Sequence, residues 1–189
     1  MLEQLLIDSL HRRLRALFSL YEKATATMTV DQVNHREREG ILPIAFSLFH
    51  FIRLLDNGYC MLTGESPVWD EAWRARVRPH IDDHGKERTV AEMQHQQIGG
   101  YPELIDYMRA VFTRTEKWLT QLPPSELERI VIPRPFPPQF ESTFGALLAG
   151  EKGITVLDGI ECWIYQHGLR HMGEIELARS FVGLQGMTS

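Results

Sequence analysis

The sequence TVLDGIECWIYQHGLRHMGEIELARSFV, residues 155–182, decides the fold class of this protein. Apolar side chains and two histidines recur in it at spacings of three and four residues, which places them along one face of an α-helix. A helix of this length with one apolar stripe is expected to pack against other helices. The stripe comprises Leu157, Ile160, Ile164, His167, His171, Ile175 and Ala178.

Three further segments show the same periodicity and predict long helices over residues 2–25, 41–62 and 101–121. Pro43 fits the first turn of the second of these helices, where a missing N–H costs nothing. Gly64 and Pro123 follow the second and third segments and are typical helix stops. Four long helices predict an all-α protein with a four-helix bundle.

The connections between these helices are long and irregular. Short helices are predicted over residues 69–77, from Thr89 to about residue 97, and over 144–148, and Ser125 begins a further capping-box pattern. Four prolines within residues 132–140 predict an extended loop, and no segment predicts a β-strand. The chain of 189 residues is expected to form one domain, 1–189.

Composition narrows the functional class. Hydrophobic residues make up 43% of the chain and charged residues 24%, which is typical of a globular protein. The net charge of −5 and the lack of a Lys/Arg block argue against nucleic-acid binding. The longest apolar run, residues 41–62, contains Arg53 and Asp56, so no membrane span is predicted. With two isolated cysteines and no basic leader, the protein is expected to be cytoplasmic, with reduced thiols.

His167 and His171 are separated by four residues, so both imidazoles project from one face of the last helix. One divalent metal ion can bind a nitrogen of each ring. Both lie on an apolar stripe, where an unsatisfied polar group costs about 1–3 kcal/mol. His50, in the most apolar stretch of the chain, is the natural third ligand. Three histidines leave a coordination position open, as in catalytic metal sites.

Glu174 follows His171 by three residues and falls on the same face. Three roles are open to it: a fourth ligand, a general base, or an acceptor that orients a ligating histidine. Arg53, one turn beyond His50, is a weaker candidate to anchor an anionic substrate, and a surface or salt-bridge role is favoured. His80 and His84 repeat the four-residue spacing, but in a polar segment that predicts a solvated loop.

These residues resemble a known family. The segment WIYQHGLRHMGEI, residues 163–175, resembles the C-terminal signature of the DinB/YfiT-like metalloenzymes, a His-x3-His pair closely followed by Gly and Gln. His50 matches in placement the histidine on the second helix of that family. The segment LTGESPVW, residues 62–69, resembles the connection that follows it. This sequence departs from the family at Met172, where Arg is frequent, and at Glu174, where Gln is usual.

The resemblance implies a DinB-type four-helix bundle, often a homodimer, with a divalent ion on His50, His167 and His171. Zinc or nickel is the expected ion, and iron or manganese is the alternative. Some relatives resemble transferases that attach low-molecular-weight thiols to electrophiles, and others resemble metal-dependent hydrolases. The expected partner is therefore a small molecule, such as a thiol. The competing hypothesis is a non-catalytic metal-binding or stress-related bundle.

Overall fold

The computed structural model describes residues 2–186 and confirms the all-α class. The helices are α1 Leu2–Ala26, α2 Val30–Asn34, α3 Ile44–Thr63, α4 Glu71–Val77, α5 Val90–Met93, α6 Tyr101–Gln121, α7 Pro138–Glu141, α8 Phe144–Leu148, α9 Val156–Gly159 and α10 His167–Phe181, with a 3-10 helix at Pro124–Glu128. A π-helical segment, Ile160–Gln166, joins α9 to α10. Together α9, the π-helical segment and α10 form the predicted last helix.

The core lies between α1, α3, α6 and this last helix, as the apolar stripes predict. At its centre the Tyr21 ring stacks on Phe51 with centroids 4.5 Å apart, and Phe18 stacks on Phe112 at 4.0 Å. The Tyr21 hydroxyl donates a hydrogen bond of 2.9 Å to the carbonyl of Gly168. This bond joins α1 to the first turn of α10 at the middle of the bundle.

Two strands contradict the prediction of an extended loop without β-structure. β1 (Ile130–Pro133) pairs antiparallel with β2 (Gly153–Thr155). Segments this short have no readable periodicity, and their pairing depends on contacts between residues about 20 positions apart. The pairing brings together the two ends of residues 134–152, the segment that contains α7 and α8. The small sheet therefore fixes these two helices against the bundle.

Several helix ends differ from the predicted ones. Pro43 is the N-cap of α3, one residue before the helix. The capping box at Thr89 is confirmed, but α5 ends at Met93 instead of near residue 97. The pattern at Ser125 forms no capping box, because the residues after Pro123 adopt a 3-10 helix. Gly64 ends α3 in the left-handed conformation, with φ of 78°, as predicted.

Asp56 is the main polar group inside the bundle, with no exposed surface. Its carboxylate accepts hydrogen bonds from the backbone N–H groups of Val68 and Trp69, at 3.0 and 2.9 Å, and from the Tyr107 hydroxyl at 2.8 Å. Arg114 lies 3.7 Å from the same carboxylate. Asp56 therefore ties α3 to α6 and to the connection that follows α3.

No helix within residues 2–186 combines the length and the apolar character that a membrane span needs.

Gly168 is a point of close approach between α10 and the neighbouring helices α1 and α3. A Cβ at this position would lie 2.5 Å from Leu17 Cδ2 and 2.9 Å from Phe51 Cε2. We expect Gly168→Ala to lower the free energy of unfolding by about 2 kcal/mol, because the extra carbon overpacks the core. Thermal or urea unfolding measures this loss.

Gly173, on the same helix, supplies the matched control. A Cβ there meets no atom within 4 Å, so Gly173→Ala is expected to raise stability by about 0.5–1 kcal/mol through backbone entropy alone. Equal effects of the two substitutions would contradict the close packing at Gly168.

Candidate metal centre

The structure brings together the three histidines that the sequence singles out. His50 lies in the middle of α3, His167 begins α10, and His171 follows one turn later. Candidate ligand nitrogens of the three rings all lie within 4.8 Å of one another. Nε2 of His167 is 2.9 Å from Nε2 of His171, and the His50 ring centroid is 5.3 and 4.8 Å from those of His167 and His171.

Hydrogen bonds at Nδ1 orient two of the three rings. Nδ1 of His50 donates to the backbone carbonyl of His84, and Nδ1 of His171 donates to Oε2 of Glu174 at 2.7 Å. The Ser47 hydroxyl donates to the same carboxylate oxygen, also at 2.7 Å. An acceptor at Nδ1 places the proton there and leaves the lone pair on Nε2, the arrangement usual for ligating histidines.

The protonation of the rings suits metal binding. Burial and the neighbouring His171 lower the pKa of His50 to about 4, and burial together with His171 and His50 lowers the pKa of His167 to about 2. Both rings are therefore neutral at neutral pH, which is the form that binds metal.

His167 shows most directly that the residues fit a metal ion. Its Nδ1 is buried and has no hydrogen-bond partner among the described residues, 2–186, so the polar interactions of this ring are made at Nε2. Its Nε2 faces Nε2 of His171, which presents a lone pair. A divalent cation would accept lone pairs from the Nε2 atoms of His167 and His171. Three neutral imidazoles suit an ion such as zinc or nickel.

The contacts of Glu174 favour one of its three open roles. The carboxylate binds Nδ1 of His171, the nitrogen on the opposite side of the ring from the Nε2 that faces His167. Burial raises the pKa of Glu174, but its hydrogen bonds with His171 and Ser47 help to bring the pKa below its usual value. In the structure Glu174 is therefore a hydrogen-bond acceptor for His171. Its role as a catalytic base stays a prediction.

The prediction of a loop at residues 80–84 is confirmed, but the loop is only partly solvated. His80 is exposed, but His84 is half-buried and its carbonyl receives the hydrogen bond from His50. Gly85 is buried against Phe46, with φ of 78°. The loop contacts the bundle through backbone atoms, and a pattern of polar side chains does not predict such contacts.

Arg53 has a contact that the sequence did not predict. Its guanidinium stacks over Trp69 at 4.8 Å, and within residues 2–186 it forms no salt bridge. It is not among the residues that line the pocket beside the histidines.

That pocket has a volume of about 410 Å³, and His50 and His167 form part of its wall. It is lined by α3, the loop at residues 84–86, α7, α8, the π-helical segment and the first turn of α10. The π-helical contribution could not be predicted from the sequence, because a 3.6-residue period does not register the wider π-helical turns, which are frequent at functional sites. The remaining lining residues are Leu54, Asn57, Gly58, Met61, His84, Lys86, Phe140, Thr143, Phe144, Gly145, Cys162, Trp163, Gln166 and Arg170.

Cys162, which the π-helical segment places on the pocket wall, is a free thiol, as is Cys60. Burial and the neighbouring Asp158 raise the pKa of Cys162 to about 11. The thiol is therefore protonated at neutral pH and is not an activated nucleophile.

These features define a class: a helical bundle with a candidate three-histidine metal centre on the wall of a pocket. The chain matches the model of the DinB superfamily over residues 13–175, and it belongs to that superfamily.

The fold is also similar to the crystal structure of a conserved protein from Enterococcus faecalis. The TM-score is 0.73 at 18% identity, over 93% of this chain and 95% of that chain. No curated protein matches the sequence.

Proposed function

We propose that this protein is a divalent-metal-dependent enzyme in which His50, His167 and His171 hold the ion. The supporting observation is that this histidine cluster opens onto a pocket of about 410 Å³. Structural metal sites are closed by protein ligands, whereas catalytic sites keep a position open to water or substrate. The pocket volume suits a small molecule.

A bound divalent ion supplies a Lewis acid that lowers the pKa of a ligated water or thiol. The reaction class is therefore thiol-dependent transfer or hydrolysis, with zinc or nickel as the first candidate ion and iron or manganese as the second. The His84 carbonyl and Glu174 hold the Nδ1 protons of His50 and His171, which keeps both Nε2 atoms directed toward the cluster.

Activity screening of metal-replete protein tests this function. Protein loaded separately with each ion is assayed with thiols plus electrophiles, and with ester and amide substrates. We expect turnover in one class, lost on chelation and restored by the ion. Stoichiometric metal without turnover in either class would instead indicate the alternative, a non-catalytic metal-binding bundle.

Glu174→Gln, assayed at saturating metal, separates the two remaining roles of Glu174. A general base contributes about 100-fold or more to the rate, so loss of turnover with metal retained assigns that role. Turnover retained with weaker metal binding assigns only the orientation of His171. The matched control is Glu151→Gln, in the exposed loop before β2.

A further inference from the structure

The charge of the pocket is opposite to that of the chain. The protein has 25 acidic and 20 basic residues, yet the pocket wall includes Lys86 and Arg170 and, among the described residues, no aspartate or glutamate. A divalent ion on the histidines would add further positive charge. A pocket of one sign with low-dielectric walls concentrates ligands of the opposite charge.

No acidic side chain of the pocket wall neutralises the charges of Lys86 and Arg170. Neither Lys86 nor Arg170 forms an ion pair with another residue in the described part of the chain, whereas seven of the sixteen arginines of this protein do. Arg170 follows His167 by three residues, so it lies on the same side of α10 at the pocket. Lys86 lies in the loop at residues 84–86 on the pocket wall, with Nζ 6.0 Å from the centre of the Phe140 ring.

The rest of the wall is largely apolar and aromatic. Phe140 and Phe144 come from the segment that the small sheet fixes, Trp163 from the π-helical segment, and Leu54 and Met61 from α3. Such a wall takes the apolar body of a ligand, while a few polar groups fix its orientation. Asn57, Thr143 and Gln166 are the neutral polar groups available for that.

We propose that the substrate of this site is an amphiphilic organic anion, with its carboxylate or phosphate group bound by Arg170 and Lys86 and its apolar body against Phe140, Phe144 and Trp163. This inference rests on the proposed function, because it takes the histidine cluster as the reacting end of the pocket. Arginine binds planar anions through two parallel hydrogen bonds, and lysine adds a point charge.

The test is a calorimetric titration of the metal-loaded protein with phenylacetate, 3-phenylpropionate, 4-phenylbutyrate and phenyl phosphate, and with the three corresponding amides. We expect at least one anion to bind about ten times more tightly than its neutral counterpart, phenol serving for the phosphate. The head group that binds more tightly, carboxylate or phosphate, identifies the kind of anion. Equal binding of anions and neutral analogues, or no binding, would overturn the proposal.

Substitutions of Lys86 and Arg170 test whether these two cations cause the preference for the anion. Lys86→Gln combined with Arg170→Gln is expected to remove the preference for the anion, and Arg12→Gln, an exposed arginine of α1, to leave it unchanged. A preference that survives the double substitution overturns the proposal. Because both side chains are exposed, the double variant is expected to unfold at the wild-type temperature.

The same titrations on chelator-treated protein separate this inference from the proposed function. The dependence on Lys86 and Arg170 should persist without the ion, since it does not involve coordination. A chain that binds stoichiometric metal but shows no anion preference retains the proposed metal site and loses only the substrate class.

Discussion

Replacing His171 by alanine is expected to abolish binding of divalent metal to this protein while the fold is retained. His171 contacts both other parts of the centre, with Nε2 2.9 Å from His167 and Nδ1 bonded to Glu174. Loss of an outer partner of a ligand typically weakens metal binding 10–100-fold, so loss of the ligand itself should exceed about 100-fold. Elemental analysis and a competition titration against a chelator measure the change.

The stability cost of His171→Ala is expected to be about 1–2 kcal/mol. The ring is buried, and its removal leaves a small cavity and one lost hydrogen bond. The matched control is His80→Ala, which changes an exposed histidine in a pair with the same four-residue spacing. Wild-type metal content in the His171 variant would contradict the assignment, and equal loss in both variants would move the site to residues 80–84.

Asp56→Asn is expected to produce a large loss of stability, about 3 kcal/mol. The carboxylate receives three hydrogen bonds from donors, two of them backbone N–H groups at 3.0 and 2.9 Å. An amide of the same shape places an NH₂ group against at least one of these donors. Hydrogen bonds to a charged acceptor contribute about 1.5–3 kcal/mol each, and the buried donor left without an acceptor adds its desolvation cost.

Urea unfolding of the two proteins measures this difference, with an unchanged slope showing that the unfolded state is the same. Asp106→Asn is the control, because its ion pair with Arg76 at 3.6 Å lies on the exposed surface and is expected to contribute less than about 1 kcal/mol. A loss below 1 kcal/mol for Asp56→Asn would mean that the connection after α3 is held by its apolar contacts instead.

The sequence by itself determined the four long helices and the pair His167 and His171. Both depend on local order: a period of 3.6 residues is the same in a helix whatever surrounds it, and a four-residue spacing brings two side chains together within one turn. His50 was predicted from its apolar surroundings, since a buried imidazole needs a partner. The apolar surroundings of His50 therefore indicate that its imidazole has a partner, but they do not identify that partner.

The tertiary structure alone decided what surrounds these histidines. The His84 carbonyl behind His50, the small sheet that fixes α7 and α8, and the convergence of Lys86 and Arg170 on one pocket all join residues more than 15 positions apart. Such contacts depend on how the helices and loops pack, and no local periodicity encodes them. The histidine cluster therefore followed largely from the sequence, whereas the pocket beside it followed from packing.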